Sequence, residues 1–200
     1  MLPEGGNALK GCSLVAGLDP RPRDYTTGYA VLERKSGGSW ALAMHGIDVI
    51  YRAVAKISAS CLVAVDAPLT PPYKGFRDVE VAAMRELGAR LLPGGTRGMK
   101  MLSTVGNSIR LLLEEAGKPA IETHPYTVTL IAGIDRARLQ REYGRDTGDA
   151  IVASVVAAAV VEGLYTAIQG VGGTLYFPSK TAKIEISASR PLKLSLSKGH

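Results

Sequence analysis

The chain is poor in several residue types that carry familiar chemistry. Its 200 residues include two cysteines, three histidines, two phenylalanines and one tryptophan. Cys12 and Cys61 are too few for a disulfide framework, and neither belongs to a CxxC pair. The expectation is a cytoplasmic protein with reduced thiols and no structural zinc. The longest apolar run, residues 150–161 interrupted by Ser154, is shorter than the ~18–20 residues that span a bilayer, so no membrane partner is expected. Residues 1–10 lack the basic-then-apolar order of a signal peptide. The patterns GxxxxGK(S/T), GxSxG, HExxH and GxGxxG are all absent. That removes the usual signatures of P-loop enzymes, serine hydrolases, zinc proteases and dinucleotide-binding proteins.

What is present fits a single globular domain. Hydrophobic residues make up 46% and charged residues 21%, too apolar for a disordered chain. The net charge of +6 is unevenly placed. Residues 180–200 hold five bases (Lys180, Lys183, Arg190, Lys193, Lys198) and one acid, Glu185, a balance of +4 that leaves +2 for the rest. The basic isoelectric point therefore reports mostly a tail. Residues 87–113 are more informative, with Arg90, Arg97, Lys100 and Arg110 and no acid.

Residues 13–18, 27–33 and 39–45 read as three strands joined by short turns, an antiparallel meander. Residues 47–59 carry apolar side chains at helical spacing. Residues 61–65 form a continuous apolar run, as in a strand buried on both faces. Helices are expected over 77–91, 104–116, part of 128–143, and 149–165. A short strand is expected at 120–123 and another at 175–177. The alternating tail fits an edge strand or a loose arm. The order is that of an α/β fold with a mixed sheet and helices on both faces.

Three acids sit at the ends of core elements. Asp19 follows the first strand, Asp66 follows the apolar run CLVAV, and Asp149 opens the helix DAIVASVVAAAVV. Strand ends line one edge of an open α/β sheet, where ligand crevices form. Neighbouring carboxylates need a cation, and Mg²⁺ or Mn²⁺ prefers hard oxygen ligands. Such ions activate water and stabilise the leaving oxygen of a phosphodiester. Each acid also has a plain reading: Asp19 as a turn residue, Asp66 as a cap before Pro68, Asp149 as a complement to its helix dipole. Asp146 lies one helical turn before Asp149 and serves equally well as a cap.

Glu122 and His124 flank Thr123 at period two, so one side of a strand would carry both. Glu122 is a candidate fourth ligand or general base, and His124 a phosphate contact or proton shuttle. Arg77 is a candidate phosphate ligand, although its cluster with Asp78, Glu80, Arg85 and Glu86 reads equally as surface ion pairs. Arg97 and Lys100, in and after the glycine loop PGGTRG, offer two cations to a phosphate.

In order and spacing, seven segments resemble a predicted-nuclease family with a ribonuclease-H-like fold, a domain of unknown function. They are GLD (17–19), TGYAVL (27–32), VDAPL (65–69), RDVE (77–80), LLPGGTRGMKMLSTVGNSIR (91–110), IETHP (121–125) and DAIVASVVA (149–157). The resemblance implies a five-stranded mixed sheet in the order 3-2-1-4-5, spanning residues 11–179, with residues 180–200 as a basic C-terminal tail or edge strand. It also implies an acidic cluster drawn from Asp19, Asp66 and Asp149. The pair Asp146 and Asp149 is similar to the paired acids on the last helix of Holliday-junction resolvases, which work as dimers, so a homodimer is compatible with the resemblance.

The leading expectation is a metal-dependent nuclease, with nucleic acid as its partner and Mg²⁺ or Mn²⁺ held by Asp19, Asp66, Asp146 and Asp149. Arg77, Arg97, Lys100 and His124 would hold phosphates, and Glu122 would support the chemistry. Two alternatives stay open: a phosphotransferase or nucleotide hydrolase on the same core, and a non-catalytic nucleic-acid or protein-binding module.

Overall fold

A computed structural model describes residues 9, 11–187 and 191–199. Residues 1–8, which include most of the segment read as unlike a signal peptide, lie outside the described residues, as do Lys10, Arg190 and His200. The elements are β1 (Leu14–Arg21), β2 (Thr26–Arg34), β3 (Trp40–Val49), α1 (Ile50–Lys56), β4 (Leu62–Val65), α2 (Asp78–Leu87), α3 (Arg97–Glu115), β5 (Ala120–Glu122), α4 (Pro125–Ala132), α5 (Arg136–Tyr143), α6 (Arg145–Val161), β6 (Tyr165–Gly170), β7 (Gly173–Pro178), β8 (Ala182–Ile186) and β9 (Lys193–Lys198).

All the strands join one mixed sheet in the order β6-β7-β5-β4-β1-β2-β3-β9-β8. Its centre is the expected 3-2-1-4-5 arrangement. β1, β2 and β3 form the antiparallel meander, and β4 and β5 add to β1 in parallel. Among the described residues the sheet has nine strands, where the resemblance implies a core of five. The additions close both ends of the core. The β6–β7 hairpin pairs with β5 at Glu122↔Leu175. On the far edge, β9 pairs with β3 through Trp40↔Leu194 and Ala41↔Lys193, and β8 pairs with β9. Leu192 and Leu194 are fully buried, which fastens this part of the tail to the sheet.

Several element boundaries differ from the periodicity, and three of them bear on the argument. β3 continues to Val49 because β2 stays long enough to pair with it, Thr26 opposite Val49, so Ile47 is a strand residue. α3 begins at Arg97, not near residue 104, because the Thr96 side chain accepts the Met99 N–H and caps the helix. Arg97 and Lys100 thus leave the glycine loop for the first helical turn. The last core helix starts at Arg145, which brings both Asp146 and Asp149 into its first turns. A further correction concerns the thiols. Cys12 and Cys61 are joined in a disulfide with their Cα atoms 5.9 Å apart. The parallel pairing Val15↔Leu62 sets the residues that precede β1 and β4 side by side, which their separation of 49 in sequence conceals.

Helices cover both faces. α6 packs over Val15, Ala30, Leu32, Leu62 and Ala64. α1 and α3 pack over Ala16, Leu18, Val31, Val63 and Val65 on the opposite face. Among the described residues no helix is long and apolar enough to cross a membrane.

The seat of α6 depends on two glycines. A Cβ on Gly17 would fall on the Ala150 carbonyl oxygen and the Ser154 nitrogen. A Cβ on Gly28 would fall on the carbonyl of Asp146 and, at 2.9 Å, on the Thr147 nitrogen. Without those side chains the helix backbone lies directly on β1 and β2. That contact delivers the first turns of α6 to the end of β1.

Candidate active site

Strand register assembles the first two acids. In the parallel pair β1·β4, Gly17 lies opposite Ala64 and Leu18 opposite Val65. Asp19 and Asp66 come next, one from each strand. Side chains alternate along a strand, so each acid shares a face with the residue two before it. Those residues are Gly17 and Ala64, both under α6. Asp19 and Asp66 are therefore neighbours on the helix-covered face. α6 then adds Asp146 and Asp149, one turn apart.

The electrostatics record the crowding. Burial pushes the Asp19 carboxyl well above the carboxylate range, and Asp66, Asp149 and Asp146 push it further. Burial also pushes Asp66 up, aided by Asp149 and opposed by Arg136. Like charges at close range in a poorly hydrated site favour the neutral acid unless a cation enters.

Two arginines serve as counter-cations. Arg136, at the start of α5, donates from Nε to Asp149 Oδ1 at 2.7 Å and from Nη2 to Oδ2 at 2.6 Å, a bidentate pair. Gln140 Nε2, one helical turn on, donates to the same two oxygens at 3.1 and 3.2 Å. Arg21, at the end of β1, lies 2.7 Å from Asp146 through Nε. Among the described residues no group of three or more His, Cys, Asp or Glu side chains is arranged to hold a metal ion as it stands. The donor set itself, carboxylate oxygens, suits a hard divalent cation.

Glu122 and Arg77 meet elsewhere. Glu122 lies level with Val65 in the sheet, one position before Asp66. Its Oε2 accepts from Arg77 Nη1 at 3.0 Å and from the Leu69 N–H at 3.0 Å, and its Oε1 accepts from Arg77 Nη2. Arg77 also donates to Glu80 Oε1 from Nε at 3.1 Å and from Nη2 at 2.9 Å, and to the Gly172 carbonyl at 3.1 Å. Tyr73 donates its hydroxyl to Glu80 and lies against the guanidinium at 4.9 Å. All three charged members are buried. The expected supporting acid and the expected phosphate ligand thus engage each other, and the surface ion pairs expected around Arg77 are an interior network.

His124 precedes α4, and its Nδ1 is 2.8 Å from Thr127 Oγ1. Burial, with Arg136 nearby, lowers its pKa to about 4, so the ring is neutral near pH 7. A cavity of about 300 Å³ joins these groups, lined by Asp66, His124 and Arg136, by Arg77 and Glu122, and by Arg90, Met99 and Tyr126. Arg97 and Lys100 are exposed on α3 to either side of Gly98 and Met99, and neither lines the cavity. Arg90 does line it. Sequence reasoning did not single out Arg136, Gln140 or Arg21. Nothing in IDRARLQRE separates Arg136 from its neighbouring arginines.

No protein-family model and no curated protein matches the chain. Among solved structures the fold resembles two of Thermus thermophilus RuvC. One, in complex with a Holliday junction substrate, is 15% identical with a TM-score of 0.45, over 75% of this chain and 96% of that one. The other is 17% identical with a TM-score of 0.42, over the same shares of the two chains, 75% and 96%. The likeness is one of fold.

Proposed function

We propose that the chain is a divalent-metal-dependent nuclease that hydrolyses nucleic-acid phosphodiester bonds. The observation that carries this reading is the convergence of Asp19, Asp66, Asp146 and Asp149 from β1, β4 and α6, close enough that Asp66, Asp149 and Asp146 each raise the Asp19 pKa. Arg21 and Arg136 offset Asp146 and Asp149, and ionising Asp19 beside Asp66 still calls for a further cation. Mg²⁺ or Mn²⁺ bound there would activate a water and neutralise charge on the leaving oxygen. Arg90, at the cavity, and Arg97 and Lys100, on the first turn of α3, would hold phosphates of the strand. Neutral His124 would offer Nε2 for a hydrogen bond or a proton, since Thr127 occupies Nδ1. Arg136 would hold the Asp149 carboxylate in place through its two hydrogen bonds. Glu122 and Arg77 would support the wall behind Asp66 without joining the reaction.

The test is cleavage of labelled single strands, duplexes, RNA–DNA hybrids, flaps and four-way junctions in Mn²⁺, Mg²⁺ or EDTA. Products should require the metal and vanish with Asp66→Asn. Products that persist in EDTA, or equally in the variant, would remove the carboxylates from the chemistry.

A further inference from the structure

The cavity beside Asp66 has a wall that carboxylate chemistry does not account for. Besides Asp66, His124 and Arg136, its lining includes Leu91, Leu92, Met99, Leu102 and Tyr126. Leu92 is 65% exposed, and Met99 and Leu102 are only partly buried. These side chains thus form an apolar surface beside a charged one. A phosphate strand alone gains nothing from leucine and methionine. A flat body with apolar faces and a polar edge gains from both.

The polar groups at the cavity suit such an edge. Thr127 occupies His124 Nδ1, which leaves Nε2 of a neutral ring as donor or acceptor. The Tyr126 ring is fixed from two sides, by the Arg136 guanidinium at 5.8 Å and by the His124 ring at 6.4 Å. Arg77, Glu80 and Glu122 also line the cavity, but they are saturated by one another. Arg90 lines it as an exposed cation, suited to a flanking phosphate. At about 300 Å³ the space lies at the small end of ligand sites, enough for one base with its sugar.

We propose that this cavity receives one unpaired nucleobase of the strand whose phosphate lies at the carboxylates. The inference rests on the nuclease reading for that phosphate. It makes the substrate class single-stranded or locally opened nucleic acid, because a base cannot enter a pocket while stacked in a duplex. The apolar wall and Tyr126 hold the faces of the base, His124 holds its edge, and Arg90 holds the adjacent phosphate.

The test uses the full chain in EDTA and a set of short single strands, each with one 2-aminopurine. Fluorescence is followed together with anisotropy, and cleavage in Mn²⁺ is assayed separately. One label position should brighten on binding. Met99→Trp, which fills the cavity, should weaken binding about tenfold, in line with the loss of one base–aromatic contact. Leu92→Ser, at an exposed site where folding is not at stake, should weaken it about threefold by removing apolar contact. A fully paired duplex should bind more weakly than the single strand. Binding without brightening at any position, or unchanged affinity in both variants, would overturn the pocket. Cleavage persisting in Mn²⁺ would then show that the nuclease reading stands without it. Absence of both binding and cleavage would overturn the two together.

Discussion

At the residue scale, burial holds Asp66 toward its neutral form. Asparagine is close in shape to a protonated aspartate, so Asp66→Asn should leave stability in EDTA nearly unchanged. The rise in Tm that Mn²⁺ gives the wild type should disappear in the variant. Thermal melts with and without Mn²⁺ check both halves, and a large loss of stability in EDTA would contradict the assignment. Arg77 is a different case. Its removal in Arg77→Met strands the carboxylates of Glu80 and Glu122 in the interior. The expected cost is about 3–5 kcal/mol by urea denaturation. Glu122→Gln keeps a hydrogen-bonding partner for the guanidinium and should cost clearly less.

His124 supplies the pH dependence that can be isolated. Its folded pKa is about 4, against 6.5 in an unfolded chain. Between those values the unfolded chain binds a proton that the native ring refuses. The contribution is complete above pH 6.5 and is lost as pH falls through about 4, up to about 3 kcal/mol. Asp19 and Asp66 act in the opposite sense, since their raised pKa values favour the native state at low pH. Comparing wild type with His124→Gln cancels their part. The difference in urea-derived stability should change only in that acid window, and parallel profiles would rule the assignment out.

At the element scale, α6 is placed by what β1 and β2 lack. Gly17→Ala puts a methyl group on the Ala150 carbonyl and the Ser154 nitrogen, so the helix must shift. The expected loss is about 1–3 kcal/mol of stability, with cleavage falling by more than the stability loss explains, because Asp146 and Asp149 move with the helix. Chemical denaturation and single-turnover cleavage measure the two effects, and an alanine variant with native cleavage would contradict this placement. The elements themselves were legible where the pattern was strong. The apolar run before Asp66 stands where the sequence indicates, and the meander and the long apolar helix are present with shifted ends. The start of α3 was hidden because Thr96 looks like one more glycine-loop residue, and β3 was cut short because residues 47–57 also satisfy a helical spacing.

At the scale of the whole molecule, the sheet's central order was legible and its width was not. β8 and β9 fall in the alternating tail and take the edge position that the sequence indicates, held by Trp40 and Ala41 of β3, whereas β6 gives no strand pattern of its own and gains its order by pairing with β7. The candidate site follows the same rule. Asp19, Asp66 and Asp149 are visible because each borders an apolar run of the sequence. The partnership of Glu122 with Arg77, and the claim of Arg136 on Asp149, join residues 45 and 13 positions apart. Those pairings exist only after the strands and helices have docked.

We propose that the carboxylates at the ends of β1 and β4 and the start of α6 form a divalent-cation centre. Mn²⁺ binding followed by electron paramagnetic resonance tests it most directly, with Asp66→Asn beside Glu122→Gln. Asp66→Asn should weaken binding at least about tenfold, the loss of one charged ligand, while Glu122→Gln should bind as the wild type does. Equal binding by wild type and Asp66→Asn would contradict it.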